Sequence, residues 1–259
     1  MDLVENRDVI TNINLHPWEL VRLGFIQETV ANIAAKATKE VVLIDIGCGD
    51  AFVIKNLSEK FNFSAFHAVD INFTDHQIAE LKKQNPKIDF QSQLSAISIS
   101  ENKTYILLLN DVIEHIEEDQ KFIEMLKANV IDKATSVSLF ITVPAFNSVF
   151  SSHDVDLGHY RRYTLKMLLK YNDTLKMNIS AKGYFFTSLL AARLVQKLFS
   201  PKKLPPKKEN IGISVWKHGK IMTGLVTFFL KSDLLFTKVL TKCKLTIPGL
   251  STYSVFTKK

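Results

Sequence analysis

Apolar residues along the chain fall into two alternating rhythms. Trp18, Val21, Leu23, Phe25, Ile26, Val30, Ile33 and Ala34 recur at spacings of three and four, which predicts an amphipathic helix over roughly His16–Ala37 with Pro17 in its first turn. Val41–Ile46 is a short apolar, β-rich run that breaks into Gly47, Cys48 and Gly49, and a helical stretch over about Ala51–Phe61 follows. A second buried strand, Ala65–Val69, ends at Asp70, and a helix over about Thr74–Gln84 is stopped by Pro86. Then come a weak strand at Ile88–Gln91, a strand at Tyr105–Leu109, a helix over about Glu117–Val130 and a strand at Ser136–Val143 closed by Pro144. Strands alternating with helices predict an α/β domain with a parallel sheet covered on both faces.

The rhythm changes after Pro144. A polar loop leads to a helix near Thr164–Tyr171, a strand at Asn178–Tyr184 and, at the far end, a closing strand at Tyr253–Phe256. Between these strands, residues 185–250 carry two long apolar and basic helical patterns separated by the breaker-rich run Ser200–Asn210, an insertion of separate character. If the strand at Asn178 is parallel to its predecessors, the insertion leaves from the carboxyl edge of the sheet, where ligands of open α/β folds bind.

Charge sharpens this division. Residues 1–160 hold 13 basic and 23 acidic side chains, and the remainder holds 20 basic and 3 acidic, so the overall charge of +7 conceals an acidic front and a strongly basic back. The basic part implies an anionic partner: a phosphorylated substrate, an anionic lipid surface or nucleic acid. The longest uncharged apolar run, Ile221–Leu230, is half of the roughly 20 residues that a spanning helix needs. Phe185–Phe199 followed by Lys202, Lys203, Lys207 and Lys208 fits an interfacial helix with a polybasic tail, or an ordinary capping helix. Residues 1–12 lack the pattern of a secretory signal, and Cys48 and Cys243 cannot form a disulfide framework. A cytoplasmic protein, peripheral at the inner face of the membrane, is expected.

The strongest local chemistry lies in Val42–Ala51. Gly47 and Gly49 let the backbone turn tightly after a strand and approach a ligand, and Asp45 can accept from an ammonium. Asp70, 25 residues further on at the next strand end, is placed to accept both hydroxyls of a ribose. Phe52 stands where a dinucleotide fingerprint needs its third glycine, and no Gly-Lys-Ser/Thr enters the helix. An adenosyl ligand without pyrophosphate remains.

Asp45-Ile46-Gly47-Cys48-Gly49-Asp50-Ala51 resembles the first motif of the class I S-adenosylmethionine-dependent methyltransferases, Asp-x-Gly-x-Gly-x-Gly, with alanine in place of the last glycine. Leu109–Glu117, reading Asp111-Val112-Ile113-Glu114-His115-Ile116 at its centre, is similar to the stretch after the fourth strand in a broad bacterial group often encoded among glycan genes, and His16–Glu19 with Arg22 looks like that group's opening helix. The segment Pro144-Ala145, Ser151-Ser152-His153-Asp154, Gly158-His159-Tyr160-Arg161-Arg162-Tyr163 is similar to another of its signatures.

The resemblance implies a Rossmann-like, doubly wound sheet of seven strands, mostly parallel with the last antiparallel, in a single domain over 1–259. A lid helix occupies 13–38 and the basic helical insertion 185–250. It implies S-adenosylmethionine as cofactor and S-adenosylhomocysteine as product, with Asp45, Gly47, Cys48, Gly49, Asp70, Ile71, Asn110, Asp111 and His115 around it. His153 beside Asp154 is the expected general base, since a carboxylate orients an imidazole and raises its basicity. His159, Arg161, Arg162 and Tyr163 are expected to hold the acceptor, with the arginines suited to a carboxylate or phosphate. Cys48 has no adjacent base and reads as packing rather than as a nucleophile. His153, Asp154 and His159 are too sparse for a metal site, and no metal is predicted. The expected activity is methyl transfer to an oxygen or nitrogen of a small-molecule or lipid- or glycan-linked acceptor, by in-line displacement. Nucleic acid is less favoured, because the Asn/Asp-Pro-Pro-aromatic motif of base-amine methyltransferases is absent after the fourth strand. Two rivals are an RNA-directed methyltransferase and a non-catalytic cofactor-binding scaffold.

Overall fold

The computed structural model describes residues 16–199, 216 and 218–258. Its strands are β1 (Val41–Ile46), β2 (Ala65–Val69), β3 (Ile88–Gln91), β4 (Thr104–Asn110), β5 (Ser136–Pro144), β6 (Asn178–Phe185) and β7 (Ser251–Lys258). They form one sheet in the order β3-β2-β1-β4-β5-β7-β6, in which only β7 runs against the others. The expected class, a Rossmann-like mostly parallel sheet with the last strand antiparallel, is the one observed. β1 and β4 are apolar almost throughout because helices cover both faces.

The helices are α1 (Pro17–Ala34), α2 (Phe52–Lys60), α3 (Asp75–Gln84), α4 (Asp119–Leu126), α5 (Ser152–Asp156), α6 (Leu165–Lys170), α7 (Asn172–Leu175), α8 (Thr187–Phe199) and α9 (Lys220–Lys242). α1 begins at a capping box in which His16 and Glu19 satisfy each other's backbone amides. Its apolar stripe, Val21, Phe25, Ile26 and Val30, packs on Leu43, Ile106, Leu108 and Phe140 of the sheet. α1 thus packs on the sheet as a core helix, and Trp18 and Arg22, from its first two turns, reach the cavity described below. The helix expected over about Glu117–Val130 begins at Asp119, after a separate short turn at Ile113–His115, and beyond Leu126 it widens to a π-helix over Lys127–Ile131.

α8 and α9 are the two helices expected within the insertion. α9 packs on α1 and β6 through Leu230 and Leu234. Lys202, Lys203, Lys207, Lys208 and Lys217 lie outside the described residues. Among those described, no helix is long and apolar enough to cross a membrane.

Candidate active site

Left-handed backbone at residues other than glycine gathers at one end of the sheet. Ala51 (φ 59°), Asp111 (φ 53°), Phe146 (φ 63°) and Phe186 (φ 64°) lie just beyond the carboxyl ends of β1, β4, β5 and β6. Such conformations cost about 1–2 kcal/mol each and persist where the surroundings enforce them, often at functional sites. Ala51, at the position of the missing third glycine, is fully buried at the start of α2 and keeps the turn that a glycine would make.

The loop after β1 is tied down by its own glycines. Gly47 has φ +68°, and a Cβ there would sit 2.8 Å from Val112 Cγ2. Asp70 Oδ2 accepts the Gly49 N–H at 2.9 Å, and its Oδ1 accepts the Asn72 N–H at 3.0 Å. Asp70 is buried, so it braces the glycine loop in addition to standing where a ribose acceptor was expected. Ile71, next to it, is 86% exposed. Asp45 is buried at the end of β1. Burial drives its pKa up to about 7, with Arg22 and Asn110 opposing and Asp50 and Asp70 adding to the rise. The Cys48 thiol is pushed well above its ordinary value by burial and by Asp45 and Asp70, as befits a packing residue.

Beyond β4, Asp111 is held by Arg22 of α1 at 2.7 Å, and Asn110 accepts from Thr142 of β5 at 3.2 Å. Glu114 is completely buried, with neither carboxyl oxygen hydrogen-bonded, and burial and Asp111 raise its pKa well above the carboxylate range. His115 meets His159 edge to face, ring centroids 4.6 Å apart, and burial lowers its pKa to about 3. The loop carrying His159 is registered against this segment by the Tyr160 N–H, which donates to the Glu114 carbonyl at 2.8 Å.

The expected pairing of His153 with Asp154 is not the one formed. Asp154 caps its own short helix, Oδ2 accepting from Ser151, while Oδ1 accepts from His159 Nδ1 at 3.0 Å and Arg162 Nε at 2.7 Å. Burial opposes its ionisation, but His159 and Arg162 overcome that and hold its pKa well below the usual range. His153 projects instead into a cavity of about 600 Å³ shared with Trp18, Arg22, Asp111, His159, Arg162 and Arg193. Burial and the Arg193 guanidinium lower the His153 pKa, so its imidazole is neutral at pH 7.

Arg161 and Tyr163, expected beside the acceptor, are not among the residues that line that cavity. Arg161 pairs with Asp119 at 2.8 Å and donates to the Glu117 carbonyl. Tyr163 is 1% exposed, and its hydroxyl reaches the Ile113 carbonyl at 3.1 Å and Asp119 at 2.6 Å. Arg193 of α8 was not singled out from sequence. It donates to Ser151 Oγ at 2.9 Å, and its one signal is a lone arginine on a helix leaving the carboxyl edge of the sheet.

The family model of a methyltransferase domain matches residues 18–198. The chain belongs to that family. It is 29% identical over 126 residues, 48% of its length, to proteins named ubiquinone biosynthesis O-methyltransferase from two strains of Rickettsia bellii, and it spans about half the length of those relatives. Among solved structures it is similar to the plantazolicin methyltransferase BamL, solved with SAH and a triazolic desmethyl analogue, at TM-score 0.52 and 13% identity over 92% of this chain and 85% of that one. A SAM-dependent methyltransferase from Archaeoglobus fulgidus is similar at TM-score 0.49 and 11% identity over 93% and 97%. The protein thus carries the methyltransferase domain of that family over most of its length. Its glycine turn after β1 and the buried Asp70 after β2 lie side by side beyond the carboxyl ends of two neighbouring strands.

Proposed function

We propose that this methyltransferase acts on an oxygen of an amphiphilic, membrane-associated acceptor. The observation that carries the reading is the cavity of about 600 Å³, whose lining joins the loop after β5 to α8 of the insertion, so one wall is catalytic and the other belongs to the basic part of the chain. Asp45 receives the methionine ammonium, Gly47, Cys48 and Gly49 let the backbone lie against the donor, and Asp70 and Ile71 take the adenosine, with Asn110, Asp111 and His115 closing the pocket. His153 accepts the acceptor proton, while Arg162, Arg193 and His159 line the acceptor's path. Alignment of nucleophile, methyl and sulfonium provides much of the acceleration.

Membrane contact is supported by α9. Its inner side is buried through Leu230 and Leu234, yet Ile221, Met222, Leu225, Phe228, Phe229, Leu235, Phe236 and Val239 form a second, outward apolar stripe at helical spacing. Lys220, Lys231 and Lys242 on the same helix are exposed and suit an anionic surface, each adding about 1 kcal/mol near such lipid. The names of the Rickettsia relatives, which speak of O-methyl transfer in ubiquinone biosynthesis, agree with an O-methyl acceptor of this kind.

The test presents methyl-labelled S-adenosylmethionine and hydroxyl-bearing amphiphiles in anionic and in neutral vesicles. Sedimentation with the anionic vesicles and label in the amphiphile are expected. Turnover on water-soluble acceptors with no vesicle binding removes the membrane, salt-sensitive RNA methylation favours the nucleic-acid reading, and donor binding without transfer to any acceptor favours a scaffold.

A further inference from the structure

Glu114, His115 and His159 each offer one ligating atom, and these atoms lie within 4.8 Å of one another. We propose that this trio is a binding site for a divalent first-row transition metal ion. Both oxygens of Glu114 are sealed from solvent without a hydrogen-bond partner, although a buried carboxyl normally secures at least one. The two imidazoles are prepared in the manner of metal ligands, each with one ring nitrogen engaged. His159 Nδ1 is bonded to the Asp154 carboxylate at 3.0 Å, which leaves Nε2 free, and His115 is bonded through its ring to the Leu157 carbonyl.

Asp154 is itself pinned by Arg162 and by Ser151, so the carboxylate behind His159 cannot swing into the site. Ligands about 2.1 Å from a shared ion lie roughly 3.0–4.2 Å apart, so side-chain adjustments of under about 1 Å close the set. Two imidazoles and one carboxylate select zinc, cobalt, iron, nickel or manganese over magnesium or calcium, which prefer all-oxygen shells. Three protein ligands leave coordination positions open, and one of the three, His159, also lines the cavity of about 600 Å³.

The test uses the full chain stripped with a chelator, with neither methyl donor nor acceptor present, so its outcome is independent of the proposed acceptor. Titration with Co²⁺ is expected to give the intense visible absorption of a nitrogen-ligated, low-coordinate ion at one equivalent. Equilibrium dialysis with Zn²⁺ is expected to show one ion per chain, with Glu114→Gln and His159→Asn each weakening it at least tenfold and His76→Asn, a surface control, leaving it unchanged. A Co²⁺ spectrum that stays that of the aquo ion overturns the proposal, and so does Zn²⁺ binding that survives Glu114→Gln. If a substitution prevents folding, the wild-type Co²⁺ spectrum decides alone.

Discussion

Asp45→Asn separates what the site needs from what the fold prefers. The folded-state pKa of Asp45 is about 7 against an ordinary 3.8, so between those values the folded chain holds a proton that the unfolded chain has released. Stability therefore falls as pH rises from about 4 to about 7 and does not recover above it. Integrated with 1.36 kcal/mol per pKa unit, the penalty is about 1.7 kcal/mol at pH 5 and about 4 kcal/mol at pH 8. Asparagine keeps the shape of the side chain and cannot ionise. The variant is expected to gain up to those amounts, so the advantage over wild type should widen by about 2.5 kcal/mol between pH 5 and pH 8 in paired denaturant titrations. Cofactor binding should respond in the opposite sense. An ammonium needs the carboxylate, so wild-type affinity for S-adenosylmethionine should weaken about tenfold from pH 8 to pH 6, while Asp45→Asn binds weakly at both. Parallel stability profiles for the two proteins, or a pH-independent wild-type affinity, would refute the reasoning.

The other expectations concern nearer contacts. Gly47→Ala should destabilise the chain by about 1–2 kcal/mol from its left-handed backbone alone, and Val112→Ala should relieve the added clash without restoring full stability, as read by chemical unfolding. His153→Ala should lower turnover about 10²-fold with donor affinity retained, and loss of affinity in calorimetry would instead make the loop structural. Tyr163→Phe, which removes a hydroxyl bonded to Asp119 and to Ile113, should cost about 1.5–3 kcal/mol of stability while the acceptor KM stays constant.

β1 and β2 begin and end where the apolar runs do, because a parallel strand inside a covered sheet has little choice of composition, whereas β3, at the edge, alternates buried Ile88 and Phe90 with half-buried Asp89 and Gln91. β7 extends beyond its visible core of Tyr253–Phe256 to Ser251–Lys258, since its ends are polar and are held by pairing with β5 and β6. In the site, adjacency along the chain misled. His153 and Asp154 are neighbours in sequence and both border the cavity, but successive residues of a helix point about 100° apart, so the Asp154 carboxylate turns to Ser151, His159 and Arg162 rather than to His153. Arg161 and Arg162, in the extended segment that follows, also diverge, to Asp119 and to Asp154. The meeting of Glu114 and His115 with His159 was not legible, because it depends on a backbone hydrogen bond between two loops that no local pattern encodes.

One stitch has consequences for how this molecule can change. β6 and β7 close with Phe185 opposite Ser251, the Leu250 N–H donates to the Phe186 carbonyl at 3.1 Å, and a Cβ on Gly249 would come within 2.2 Å of the Phe185 carbonyl oxygen. Everything between enters and leaves through that single point, and the entropic cost of closing a loop grows only slowly with its length. A change of length within the segment therefore need not shift the register of β1 or β4, provided that Leu230 and Leu234 keep their packing against α1 and β6. The wall that α8 lends to the cavity can thus vary while the glycine turn after β1 stays as it is, with Gly249 the residue that lets the chain return so close to Phe185.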